Sequence, residues 1–217
     1  CASLREIKLP KGISEIEEGC FMGCSSLASI TLPVNLFSIN KEAFLECSSL
    51  SQVKVPEYVK IIGVRAFCAC SSLDVITLGK NIKRIGESAF YGTCFYNTAS
   101  NWQDGVLYID DYLIEAKRWI KGRYIIREGT CLIADDAFYA CESLKSVSIP
   151  KSVKSIGEYA FYNCPIEYAK MPAYAISSIS ELYIGLFSWR APTSFHTLLI
   201  ESVSRERVSQ CIPPSKR

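Results

Sequence analysis

Residues 144–164 read LKSVSIPKSVKSIGEYAFYNC, and the same apolar skeleton stands at residues 27–47, LASITLPVNLFSINKEAFLEC. Leu144, Val147, Ile149, Val153, Ile156, Ala160, Phe161 and Cys164 fall on Leu27, Ile30, Leu32, Leu36, Ile39, Ala43, Phe44 and Cys47. Outward from these stretches the spacing recurs. Phe21, Phe44, Phe67 and Phe90 stand 23 residues apart, Phe138 follows after 48, and Phe161 after a further 23. A fixed period of roughly 20–50 residues marks a stack of like units, none able to bury its apolar face alone.

Each unit parses physically. In 27–32, Ile30 and Leu32 alternate with Ser29 and Thr31, the period of a strand with one buried face. Pro33 ends that strand, as do Pro10, Pro56 and Pro150 at the same offset, because proline donates nothing to a ladder. A second short strand follows, such as 153–157, and then a segment whose Glu158, Ala160 and Phe161 suit one helical turn. Gly63, Gly86 and Gly157 stand where strand gives way to turn and are expected to take a backbone angle that side chains resist. Equal coils stack at about 4.8 Å, so the expected fold is a β-rich solenoid with short helical turns. Its core is a Phe ladder and a Cys ladder: Phe21, Phe44, Phe67, Phe90, Phe138 and Phe161, with Cys24, Cys47, Cys70, Cys141 and Cys164 three residues on.

The spacing Ile-x-x-Ile-Gly-x-x-Ala-Phe-x-x-Cys-x-x-Leu resembles the leucine-rich repeats of the BspA type, found in surface and secreted proteins of bacteria and some protozoan parasites. That resemblance implies a leucine-rich repeat solenoid at the cell surface or outside it, acting by adhesion or binding to host matrix or surface proteins, without catalysis. It transfers no functional residue, because the motif positions are packing positions.

Four stretches follow: regular repeats at 1–98, an irregular strand-rich insert at 99–123, resumed repeats at 124–179, and a non-repeat tail at 180–217. In the insert, Val106 and Tyr108, then Tyr112 and Ile114, flank Asp110-Asp111 and read as two strands joined by a tight turn. The economical reading is an irregular coil filling two repeat slots. Placing Ile126 on Ile149 and Ile133 on Ile156 resumes the repeat by Tyr124. In the tail, Phe195, Leu198, Leu199 and Val203 have helical spacing behind Thr193 or Ser194, which reads as a capping helix; a disordered end, or a sequence produced by a reading-frame change, is the alternative.

Composition excludes several classes. The chain has 217 residues, is 49% hydrophobic, and carries 24 Lys+Arg against 22 Asp+Glu, so the basic excess that nucleic acid or anionic membrane demands is absent. No apolar run is long enough to span a bilayer. The chain begins at Cys1 and reads as a fragment or processed chain, in which the missing signal peptide says little about compartment. Of eleven Cys, the five on the ladder and Cys94, displaced by one, are expected to be small buried apolar groups, whereas Cys1, Cys68, Cys131 and Cys211 lie off it as candidate exposed thiols. No Cys-x-x-Cys pair calls for zinc. The single histidine, His196, lies in the tail, and the pairs Asp110-Asp111 and Asp135-Asp136 sit where turns and helix starts favour Asp. Neither catalysis, metal nor cofactor is expected, and the chain is expected to be monomeric.

Three surfaces are candidates for binding a protein ligand. The outward first-strand residues, from Glu6 and Lys8 to Ser146 and Ser148, are small and polar. A row just after each Phe carries Tyr91, Tyr139 and Tyr162, for which contact with a partner competes with packing between coils. The insert ranks first, with Trp102, Tyr108, Tyr112, Arg118 and Trp119 gathered where the repeat breaks, although the two Trp equally suit plugging the gap. A passive spacer displaying other domains and a carbohydrate-binding module are the alternatives.

Overall fold

The computed structural model describes residues 1–172 and 198–201. Short parallel strands stack into a solenoid. In the first-strand row Glu6–Lys8 pairs with Ser29–Thr31 and Gln52–Lys54 with Val75–Thr77, and each residue meets its counterpart one coil on, as Ile7 does Ile30. The second-strand row joins Glu15–Ile16, Ser38–Ile39, Ile61–Ile62 and Arg84–Ile85 in the same register.

The third side of each coil is a ladder too, though not a helical one. Phe21, Phe44, Phe67 and Phe138 each donate their amide to an alanine carbonyl one coil on, at 2.7–2.8 Å. The intervening amides turn back three residues, as Leu45 does to Glu42 and Cys47 to Phe44. That alternation needs two left-handed residues per coil. Glu42, Arg65, Ser88, Asp136 and Tyr159 hold φ between 53° and 57°, and Glu46, Ala69, Ala140 and Asn163, four positions after a member of the first set, hold φ between 56° and 62°. A left-handed non-glycine residue costs roughly 1 kcal/mol or more, so the inter-coil hydrogen bonds and the burial they permit must offset it. The glycines serve a different purpose from the one expected. Gly86 has no positive φ; a Cβ there would stand 2.4 Å from the Val64 backbone nitrogen of the preceding coil. Close approach, not turn angle, selects it.

Inside, the phenylalanines stack nearly parallel, with centroids 5.2 Å apart for Phe21–Phe44, 5.1 Å for Phe44–Phe67, 5.5 Å for Phe67–Phe90 and 5.0 Å for Phe138–Phe161. Beside them the Cys47, Cys70 and Cys164 thiols donate to the carbonyls of Phe21, Phe44 and Phe138 one coil back, at 3.1, 3.0 and 2.9 Å. Hydrogen bonding with Cys47 and then burial push the Cys70 thiol up, so it stays protonated. Every described cysteine is free. Cys94 has left the ladder: Thr93 takes its place, its hydroxyl donating to the Phe90 carbonyl and accepting from the Tyr96 amide to cap the helix Cys94–Asn97. Cys68, expected as an exposed thiol, is buried beside Phe67; Cys1 is exposed and Cys131 half-buried, and Cys211 lies outside the described residues.

At the break, Trp102–Gln103, Val106–Ile109 and Tyr112–Ala116 form an antiparallel meander. Its last strand pairs in parallel with Leu132–Ile133, which pairs with Ser155–Ile156, so the insert is spliced into the second-strand row. Both of its faces are buried. Leu107, Ile109, Tyr112 and Ile114 pack into the core of the first coils, and Val106, Tyr108, Leu113 and Ala116 into the core of the later ones. The turn also closes the first-strand row: Leu78 N, whose counterparts Leu9 and Val55 donate to the next strand, donates to Asp110 Oδ2 at 2.9 Å. Lys121–Ile125, Ser143–Ser148, Tyr168–Pro172 and Leu198–Glu201 continue in a new parallel sheet. Leu198 and Leu199 thus lie on a strand that extends the ladder rather than on the expected capping helix, because the free edge at Tyr168–Pro172 offers main-chain partners. The rest of that tail, His196 included, lies outside the described residues.

Phe67 is flanked by stacked rings on both sides, so Phe67→Ala should cost about 3–5 kcal/mol. Before the insert each coil packs against the coils on either side, so hydrogen exchange should quicken around residues 44–90 and change little beyond the insert. Uniform acceleration along the chain would contradict the one-dimensional account.

Candidate functional site: a cleft at the break in the solenoid

The turns on either side of the insert meet where the Asp135 amide donates to the Ile85 carbonyl at 2.9 Å, and beyond that contact the insert lies between them. Between Gly86–Tyr91 and Asp135–Tyr139 lies a cleft of about 570 Å³, floored by Ile114, Glu115, Ala116, Lys117 and Arg118 at the end of the meander. Tyr91 is 53% exposed and Tyr139 39% exposed, and both line the cleft. Tyr139 stacks on Tyr162 at 5.3 Å, while Tyr91 leans on Tyr96 at 5.1 Å. Two of the surfaces considered separately from the sequence therefore meet here, the tyrosine row and the insert.

The other insert residues divide by role. Tyr108 and Tyr112 are buried and present no binding surface. The Tyr112 hydroxyl donates to the Gly79 carbonyl at 2.7 Å, and the Tyr108 hydroxyl meets that of Tyr124 at 3.3 Å. Trp102 is half-buried edge-on against Tyr96, its Nε1 donating to the Tyr96 carbonyl at 2.7 Å and the Lys117 ammonium lying 3.5 Å over its ring. It packs against the core of the first coils. Trp119, 67% exposed, lies against Gly105 away from the cleft lining. Arg118 lines the cleft and is exposed.

Sequence reasoning missed the carboxylates. Asp135, set aside as turn chemistry, is buried: its Oδ2 accepts from Arg84 Nε at 2.8 Å and its Oδ1 from the Glu158 amide at 2.9 Å. Arg84 also reaches Glu158, at 2.9 Å. Glu115 accepts from the Tyr96 hydroxyl at 2.8 Å, and burial pushes its carboxyl up. Asp136 has no such partner. Burial, then repulsion from Glu87, Asp135 and Glu158, raises its carboxyl to about 6. The pair Asp135-Asp136 was visible in the sequence only as turn chemistry, and nothing there shows that Asp136 faces the break.

Short parallel strands, period-23 coils and a Phe–Cys interior define a leucine-rich repeat solenoid, broken once by a lined cleft. The chain belongs to the BspA type leucine rich repeat region family, whose pattern matches six copies over residues 1–120 and 123–190. It is similar in structure to a T. pallidum leucine rich repeat protein (22% identity, TM-score 0.39, covering 77% of this chain and 59% of that one). It is also similar to a leucine rich cell surface protein from Faecalibacterium prausnitzii (21% identity, TM-score 0.37, 95% and 81%) and to the pneumococcal vaccine antigen PcpA (18% identity, TM-score 0.39, 76% and 52%). The chain thus spans little more than half the length of the first and last of these. No curated protein sequence matches it.

The raised carboxyl of Asp136 has a signed consequence. Above about pH 6 it is ionised in both folded and unfolded chains, and the folded state bears the repulsion. Between pH 6 and its ordinary value of 3.8 the folded state alone takes up the proton, so this group's contribution turns more favourable as pH falls. Asp136→Asn should therefore raise urea stability at pH 7.5, by about 1 kcal/mol after allowing for solvent screening, with the difference fading near pH 4. A variant equal to or less stable than the parent at pH 7.5 would show that the acids of the cleft do not repel.

Proposed function

We propose that this chain is a non-enzymatic binding module, surface-displayed or secreted, whose protein partner docks at the break in the solenoid. The observation that carries this reading is the cleft: the residues that interrupt the repeat build its floor and leave Tyr91 and Tyr139 exposed along it. Aromatic side chains with charged neighbours supply contact area and orientation at interfaces. The small polar first-strand sheet has few such anchors, Val75 and Ile125 being exposed apolar residues on it among the described residues. A protein-interaction role is general for leucine-rich repeat scaffolds, and host matrix or cell-surface proteins are the partner class the family suggests.

Two of the acids near the break, Asp110 and Asp135, have structural tasks, which supports reading them as part of the scaffold. Asp110 holds Leu78, Asp135 holds Arg84, and no group of His, Cys, Asp or Glu among the described residues has the arrangement of a metal site. No helix among the described residues is long and apolar enough to cross a membrane.

The test is binding of the immobilised chain to a panel of host matrix proteins and glycans. Binding to a protein, weakened tenfold or so when Tyr91 and Tyr139 are both changed to Ala with the melting temperature held within a few degrees, is the expected outcome. Silence across the panel would favour a spacer, and binding confined to glycans would favour a carbohydrate module.

A further inference from the structure

The cleft has a charge pattern that its own chain leaves incomplete. Of the acids around it, Asp135 and Glu158 share Arg84, and Glu115 is held by the Tyr96 hydroxyl. Of the nearby cations, Lys117 sits over the rings of Trp102 and Tyr96, and Lys117 and Arg118, both on the cleft floor, act on Glu115. Glu87 and Asp136 are left. Both line the cleft, one from each wall, and neither carboxylate makes a hydrogen bond or ion pair among the described residues. A tyrosine accompanies each of them, Tyr91 on the wall of Glu87 and Tyr139 on that of Asp136. Two carboxylates beside exposed aromatic rings, Glu87 exposed and Asp136 partly buried, favour a cation that can pair with them while lying over the rings. A neutral polyol would hydrogen-bond there without relieving the repulsion.

Building on the reading of this chain as a protein-binding module, we infer that the cleft accepts an arginine or lysine side chain of the partner, carried on an exposed segment, between Tyr91 and Tyr139 and against Glu87 and Asp136. The cation gives Glu87 and Asp136 the counter-charge that no ion pair among the described residues gives them, and the guanidinium plane of arginine suits the arrangement better than an ammonium because it both forks to carboxylate and stacks on rings.

The probes are N-acetyl-Gly-Arg-Gly-amide, its neutral citrulline counterpart, N-acetyl-Gly-Glu-Gly-amide and a set of methyl glycosides, each titrated into the isotope-labelled chain. The arginine peptide should shift the amides of Ser88, Tyr91, Asp136 and Tyr139, weaken as salt rises, and bind about fivefold or more weakly to Asp136→Asn and to Glu87→Gln. Glu87 is exposed, so its variant keeps the test valid should Asp136→Asn disturb the turn. Equal shifts from the citrulline or glutamate peptide, or a glycoside that shifts these amides where the arginine peptide does not, would overturn the inference. If a matrix protein binds the chain and neither substitution weakens it, the cation site falls while the binding-module reading stands.

Discussion

Everything in this molecule depends on the fit between a 23-residue coil and the stacking distance of a phenyl ring. Parallel strands lie about 4.8 Å apart, and stacked aromatic rings tolerate nearly the same interval, so one Phe per coil fills the interior continuously. The observed centroid separations of 5.0–5.5 Å show that match being kept on both sides of the insert. Once rings and strands share a period, every other offset must repeat as well. The cysteine thiols find the carbonyl one coil back, and the turn residues accept left-handed angles because straying from them would break the inter-coil hydrogen bonds of that side, as from Glu42, Phe44 and Glu46 to Val64, Ala66 and Cys68.

The break shows how a solenoid survives losing its period. An ordinary hairpin would bury one face and expose the other. This one buries both, with alternate residues serving the core before it and the core after it. The continuous apolar run at 106–109 and 112–114 is the signature of a strand buried on both faces, rather than the alternation of the regular coils. Setting such a wall between the neighbouring turns leaves a cleft, so the site follows from the repair.

The Phe and Cys rows, the period and the hairpin were legible because each depends on spacing within a few dozen residues. What the sequence concealed depended on contacts between coils. The third side reads as helical because Ala and Glu suit helices, but neighbouring coils claim its amides. Thr93 replaces cysteine because a hydroxyl both fills the row and caps the helix that starts the insert, a double role no offset count reveals. Tyr108 and Tyr112 looked like surface anchors because aromatic residues at a break suggest recognition, yet they were needed as wall. For the cleft, Tyr91, Tyr139 and Arg118 were picked out from the sequence, Asp136 was read only as turn chemistry and Glu87 was not picked out, since the insert that places both on one cleft is a contact between coils.

Amide hydrogen exchange at Leu78 tests most directly whether the insert is an integral wall. In the intact coils Leu9 and Val55 donate to a neighbouring strand at this offset, whereas Leu78 depends on the Asp110 carboxylate, and nearby Ala116 donates to Ala137 across the break. The account predicts that Leu78 and Ala116 are protected to the same degree as Val55, and that Asp110→Ala releases Leu78 alone. Rapid exchange at Leu78 and Ala116 beside a protected Val55 would show instead that the two halves of the solenoid are loosely joined, and the cleft between them would lose its basis as a formed site.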